Sequence, residues 1–385
     1  MEVYLDNAAT TRVCPEAADI AYKVMTECYG NPSSTHTKGR EAKTYLDTAR
    51  SQIAAALGCS ASEVYFTSCG SESDVWAITK GAESRSRRGK HIISSAVEHD
   101  AVRKTLEDLG ARGFEVTYLA PEKDGAISVE SVKNALREDT ILVTLMMVNN
   151  ETGGITDIAG IAKMLKAEGS KALLHTDAVQ GFMKVPFSAK KLGADMISIS
   201  GHKIHAPKGI GALYIKTGVK IKPLIRGGAQ ESGMRAGTEA MPQIAAFGKA
   251  AEIAFSGMQD NCEKMARLRA LGRQALRRYS RGAYHRRRRS AHSQRIAPRL
   301  AQRGDNELSR SRKHLCFKKL GLQKGRAQSC ARGDAPPGAG NRRRDQDKLF
   351  AIQHRGRRSC PVLGAKARAL YSRAQINPKF QGCTV

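Results

Sequence analysis

The chain has 385 residues, 41% of them apolar, which is enough for one large domain and a smaller one. No stretch approaches the roughly 20 apolar residues of a membrane span, and the first residues show neither the basic nor the apolar region of a secretion signal. A net charge of +28 raises nucleic-acid binding, while nine cysteines without a C-x-x-C pair argue for reduced thiols in a cytoplasmic setting and no metal site.

Up to about residue 270 apolar strand runs alternate with helix-period segments. The first helical pattern is Arg40 to Leu57, followed by a strand at Val64 to Thr67 and a helix at Ser71 to Ala82. Strands follow at His91 to Ser94, Phe114 to Leu119 and Ile141 to Val148, separated by helices at Ala101 to Leu109 and Val129 to Leu136. A helix at Ile158 to Ala167 precedes strands at Ala172 to His175, Met196 to Ile199 and Gly211 to Ile215. Such alternation predicts an α/β fold, a three-layer sandwich around a mainly parallel sheet. In such sheets the ligand lies beyond the carboxyl ends of the strands.

The residues at those ends carry the chemistry. Thr67-Ser-Cys-Gly-Ser71 leaves a strand and opens a helix, so Gly70 and Ser71 could hold a phosphate, although small residues also serve as ordinary caps. His99 closes the next unit, and one histidine there is more often structural than catalytic, although its titration range suits proton transfer. Asn149-Asn-Glu151 ends the most apolar strand with three polar groups that need partners or a ligand. Asp177, a carboxylate at a buried strand end, requires a cation or strong donors. Ser198 to Tyr214 leads a strand into Ser200, Gly201, His202 and Lys203, then a Pro207-Lys-Gly209 turn. A lysine boxed in this way suits a pocket, where desolvation frees its amine as a nucleophile, although a lone turn lysine is more often exposed. Lysine, aspartate and small-residue cup together describe a pyridoxal phosphate site, the carboxylate keeping the ring nitrogen protonated.

The first 270 residues resemble cysteine desulfurases of the iron–sulfur-cluster type, within the class V aminotransferase family. The matching stretches are Tyr4-Leu-Asp-Asn-Ala-Ala-Thr-Thr11, Gly30-Asn-Pro-Ser-Ser34 with His36, and Phe66-Thr-Ser-Cys-Gly-Ser-Glu-Ser-Asp74. They continue with Glu98-His99, Val148-Asn-Asn-Glu151, His175-Thr-Asp-Ala-Val-Gln180, Ser200-Gly-His-Lys203 and Gly233-Met-Arg-Ala-Gly-Thr238. Cys69 stands where the family usually has glycine. The resemblance implies a fold-type-I pyridoxal phosphate enzyme that converts L-cysteine to L-alanine and a persulfide. Lys203 would hold the cofactor as a Schiff base and move protons, Asp177 would pair with the ring nitrogen, and His99 would stack on the ring. Gln180 would bond the phenolic oxygen, and Asn150 would lie near the bound amino acid. Gly70, Ser71, Ser200 and His202 would hold the phosphate, and Thr238 would reach it from the other subunit of a homodimer. Sulfur would pass to an iron–sulfur scaffold or a tRNA-thiolation enzyme. Residues 1–15 read as an N-terminal segment, 16–257 as the large domain and 258–385 as a nominal small domain, aberrant from about 271.

That last stretch departs from the family. From Leu271 onward 30 Lys and Arg face five Asp and Glu, so the charge belongs to the tail. The family's loop cysteine, within Ser-Ser-Gly-x-Ala-Cys, and its Arg-Phe-Ser carboxylate clamp are both absent. A shifted reading frame accounts for such Arg-, Ala- and Gly-rich text; a basic arm binding nucleic acid and a divergent but working small domain are the alternatives. Cys330, between Arg326 and Arg332, is the nearest counterpart of the catalytic cysteine, against coincidence within scrambled text. Another class V activity, selenocysteine lysis or transamination, and a non-catalytic scaffold with a basic arm stay open.

Overall fold

The computed structural model of the chain describes residues 4–290, with 276–290 described by backbone alone. Seven strands form one sheet: β1 (Val64–Thr67), β2 (His91–Ser95), β3 (Glu115–Leu119), β4 (Thr140–Met146), β5 (Leu173–Asp177), β6 (Met196–Ser200) and β7 (Gly211–Ile215). Their order is β1-β7-β6-β5-β4-β2-β3. Strands β2, β4, β5 and β6 are buried at every position, as parallel strands covered on both faces must be. Alternation sends successive side chains to opposite faces. Ile92, Leu142 and Leu173 join one apolar cluster, while their neighbours Ile93, Val143 and Leu174 join the other.

Helices cover both faces. In chain order they are α1 (Pro15–Thr26), α2 (Thr37–Leu57), α3 (Gly70–Arg85), α4 (Asp100–Ala111), α5 (Val129–Ala135), α6 (Ile158–Ala167), α7 (Ala189–Leu192), α8 (Met241–Ser256) and α9 (Met258–Ser290). Trp76 and Leu106 carry α3 and α4 onto one face; Ile53, Ile161 and Phe247 carry α2, α6 and α8 onto the other. The three-layer sandwich expected from the alternation is present.

Two differences from the sequence reading have physical causes. Strand β7 is antiparallel to both β6 and β1, because residues 201–210 are too few for a crossover. Helix α9 runs past the aberrant boundary near 271 as far as Ser290. Arg, Ala, Leu and Gln are strong helix formers, so propensity carries the backbone on whatever the origin of the text.

Candidate active site

Because β1 is parallel to β6 through β7, the carboxyl ends of β1, β2, β4, β5 and β6 share one edge of the sheet. The predicted residues of the described region, apart from Thr238, leave these strand ends.

Asp177 is the last residue of β5 and only 5% exposed. Val179 N–H donates to its Oδ1 at 2.9 Å. Burial pushes its carboxyl above the usual range, opposed by that amide and by the neighbouring His99 and Lys203. Lys203 closes the single helical turn that follows β6, the strand paired with β5. That turn needs Gly201, where an added Cβ would meet Ile210 Cγ2 at 2.8 Å. The Lys203 Nζ donates to the carbonyls of Ala8 and Ala9, at 2.5 and 2.9 Å. The N-terminal motif Tyr4 to Thr11 is thereby drawn to the lysine, and Thr11 fastens it by donating its amide to His202 O at 3.0 Å.

Gly70 opens α3, whose first-turn amides have no carbonyl partner within the helix. A Cβ on Gly70 would lie 2.7 Å from Val179 Cγ2 and 3.3 Å from Ser200 Cβ, so the helix start abuts the end of β6. Ser200 Oγ is buried there without a hydrogen-bond partner. Ser71 is exposed in the same turn. Cys69 has extended backbone that any residue adopts, so the loop tolerates it. His202 is held neutral, pushed down to about 4 by burial and then by Lys203, Lys208 and Lys184.

His99 caps α4, its Nδ1 accepting from Ala101 N–H at 3.2 Å. Gln180 donates Nε2 to Ala8 O at 2.8 Å and accepts from Lys184 Nζ at 3.0 Å. At the end of β4 the roles divide. Asn149 is consumed by the loop: its Oδ1 accepts from the Glu151 and Thr152 amides, and its Nδ2 donates to Val97 O. Asn150 donates to Glu151 Oε1 at 2.9 Å and is half-buried. Thr238 is not brought to the strand ends; it is exposed and lines a cavity of about 310 Å³ with Gly30, Asn31 and Pro32. Cys330 lies outside the described residues.

Three buried groups beneath the site carried no role in the sequence reading. His175 bonds Thr144 Oγ1 and Ser198 Oγ at 2.8 and 2.9 Å, and burial holds it neutral, down to about 3. Asp74 lies 3.7 Å from it, and Glu98 accepts from Ser95 Oγ and Met146 N–H. Their polar letters inside apolar runs were the available signal.

Lysine and buried carboxylate at adjacent strand ends, beside a helix-start cup, make this a fold-type-I pyridoxal phosphate site. The chain belongs to the aminotransferase class-V family, whose model matches residues 3–297. It is 47% identical over 267 residues to the cysteine desulfurase IscS of Methanosarcina thermophila, covering 69% of this chain and 66% of that protein. It is 46% identical over 268 residues to the IscS of Dictyoglomus turgidum, covering 70% and 68%. Among solved structures, a NifS-like protein superposes with a TM-score of 0.70 at 40% identity over 72% of this chain and 76% of that one. A structure described as SspA in complex with cysteine gives 0.63 at 38% identity, over 65% and 72%.

The cofactor of this family is pyridoxal phosphate, and the residues present fit it. The partnerless Ser200 Oγ and the amides of the α3 first turn offer donors to a phosphate, and Gly70 leaves the space. Asp177, desolvated and in need of a cation, suits a protonated ring nitrogen.

Proposed function

We propose that this chain is a pyridoxal phosphate-dependent cysteine desulfurase, taking sulfur from L-cysteine, leaving L-alanine and passing the sulfur to a protein cysteine as persulfide. The observation that carries the reading is the buried Asp177 beside Lys203, on adjacent strand ends next to the Gly70–Ser200 cup. The names of the relatives support cysteine as the substrate.

When bound, pyridoxal phosphate supplies a sink for the electron pair left as the substrate loses its α-proton. Gly70, Ser71, Ser200 and His202 bind the phosphate, and a neutral His202 can donate there without adding charge. Asp177 holds the proton on the ring nitrogen. Lys203 Nζ would hold the cofactor covalently and, when freed by a substrate amine, would carry a proton between substrate atoms. His99 covers the ring face, and Asn150 borders the amino acid. An incoming thiolate, for which Cys330 is this chain's candidate, would form the S–S bond as the substrate C–S bond breaks, and the electron pair of that bond would stay with the substrate carbon, which takes up a proton to become the methyl group of L-alanine.

Thr238 of the partner subunit completes the phosphate site, making the active unit a homodimer. The acceptor is an iron–sulfur scaffold or a tRNA-thiolation enzyme in the cytoplasm, in keeping with the free thiols of Cys14, Cys28, Cys59, Cys69 and Cys262. The basic excess after Leu271 supports a second reading, a cofactor-holding scaffold that binds nucleic acid, whose affinity would fall steeply with salt.

The test begins with protein loaded with pyridoxal phosphate and treated with borohydride. The label should be fixed on the peptide containing Lys203 and be lost in Lys203→Ala. A reducible chromophore that survives Lys203→Ala unchanged sinks the assignment. Sulfide release from cysteine, by the chain as written and by a form whose codons after about 270 are restored to the family's frame, then separates desulfurase from scaffold: release by neither supports the scaffold.

A further inference from the structure

Lys184 had no role in the sequence reading, yet it stands beside three site residues. It follows Met183, a buried residue held at φ 59°. The left-handed region crowds a Cβ, and a non-glycine residue stays there only where its surroundings over-determine it. The Lys184 backbone is pinned on both sides: its N–H donates to Gly181 O at 3.0 Å, and its carbonyl accepts from Cys262 Sγ at 3.3 Å. Its half-buried side chain then gives Nζ to Gln180 Oε1 at 3.0 Å.

An ammonium can only donate, so this contact dictates which end of the Gln180 amide is oxygen. A backbone carbonyl can only accept, so Ala8 O, 2.8 Å from the other end, imposes the same orientation independently. The two-fold ambiguity of a glutamine amide is removed from both sides. Ala8 O also accepts from Lys203 Nζ, so Gln180 Nε2 and Lys203 Nζ converge on one oxygen. The pyridoxal ring carries an oxygen beside the carbon that links to lysine, and that oxygen needs a donor next to the lysine nitrogen.

We propose that Lys184 is a positioning residue whose ammonium locks the Gln180 amide with Nε2 turned to the oxygen position it shares with Lys203, ready for the ring oxygen of bound cofactor. This rests on the pyridoxal phosphate reading above. Lys203 and His202 are the titratable groups that feel Lys184. Burial, and then Lys203, bring the Lys184 ammonium down to about 8, which leaves it the charged donor at neutral pH.

The test is a double-mutant cycle on pyridoxal phosphate affinity, measured by equilibrium dialysis at neutral pH. Lys184→Met and Gln180→Leu should each weaken binding about tenfold, the scale of a hydrogen bond to a charged group. The double variant should bind no more weakly than either single one. Lys184→Arg, which also only donates, should restore most of the affinity. Additive losses, or wild-type affinity in Lys184→Met, overturn the proposal. In cofactor-free protein labelled with ¹⁵N in glutamine side chains, the Gln180 amide should give two well-separated, slowly exchanging proton signals. These should collapse toward solvent-like values in Lys184→Met; unchanged signals overturn the lock. A wild-type chain that binds no cofactor refutes the pyridoxal phosphate reading, and the amide signals still decide the lock.

Discussion

Three carboxylic acids, Asp74, Glu98 and Asp177, share the buried floor beneath the strand ends; Asp74 feels the charges of Asp177 and Glu98, and Glu98 that of Asp177. They cannot all ionise in so dry a place. Asp177 has Val179 N–H, His99 and Lys203 to favour its charge, whereas Glu98 has only a hydroxyl and an amide on Oε1, and its Oε2 is buried without a hydrogen bond. Burial therefore pushes Glu98 up to about 8, from an ordinary value of 4.5. The folded chain holds this proton more tightly than the unfolded one, so the stabilisation is complete below 4.5 and is lost as pH rises through 8. His175 works oppositely: held neutral down to about 3, it contributes stability above 6.5 that fades as pH falls. Below about 6.5 the two oppose each other, so we expect the cofactor-free protein to lose stability between about pH 6.5 and 8, with Glu98 contributing at most about 1.4 kcal/mol per pH unit. Glu98→Gln should flatten that slope in chemical denaturation. An unchanged slope means Glu98 is ionised in the fold.

Between single residues and the whole chain, the segment from Gly227 to Thr238 shows how local strain is held by ion pairs. Glu231 and Ser232 are consecutive non-glycine residues at φ 48° and 56°. Glu231 is buried and takes both arms of Arg50, at 2.6 and 2.7 Å, as well as Phe66 N–H at 2.9 Å in β1. Four residues on, Arg235 grips Glu72 in α3, and Glu72 also accepts from Ser68 N–H in the phosphate loop. We expect Glu231→Gln to cost about 3 kcal/mol in urea denaturation, because a largely enclosed guanidinium loses the buried carboxylate that is its counter-charge. Glu41→Gln, which breaks an exposed pair with Lys38, should leave the urea midpoint nearly unchanged. Equal costs would mean that the Arg50 site is wet. None of this segment was legible in the sequence beyond its motif letters, since long-range ion pairs leave no periodic trace. The strands were legible to within two residues at each end, and the inner ones because strands covered on both faces must read as continuous apolar runs. Helix α8 was missed for a related reason: from Met241 to Ala254 its polar side chains are only Gln243, Lys249 and Glu252, too sparse a polar face to set the period. The lysine–aspartate pair was legible because strand ends converge by topology; the Lys184–Gln180 contact was not, because it depends on a left-handed turn at Met183.

At the scale of the molecule, the described fold holds the cofactor cup, while the text that should supply the thiol and the carboxylate clamp lies after Leu271. Helices α8 and α9 leave apolar side chains in water: Phe255 is 48% exposed, Met265 41%, Leu268 56% and Leu271 54%. Each square ångström left wet forgoes roughly 25 cal/mol of burial, so the described region on its own loses stabilisation that a packed cover would add. The tail sequence offers little to cover them, with 23 arginines among its 30 basic residues and apolar runs as short as Leu315-Cys-Phe317. It also offers no arginine in an Arg-Phe-Ser segment to take the substrate carboxylate by two parallel bonds. We therefore expect the chain as written to release little or no sulfide from cysteine even where it binds pyridoxal phosphate. A version whose codons after about 270 are restored to the family's frame should turn over and be more resistant to urea. The comparison is sulfide release by the chain as written, by its Cys330→Ser variant and by the restored form. Robust turnover by the chain as written, lost on Cys330→Ser, would overturn the frame-shift reading and make Cys330 the persulfide carrier, its thiolate favoured by Arg326 and Arg332. Turnover confined to the restored form would place the defect in the tail and leave the Lys203–Asp177 site intact.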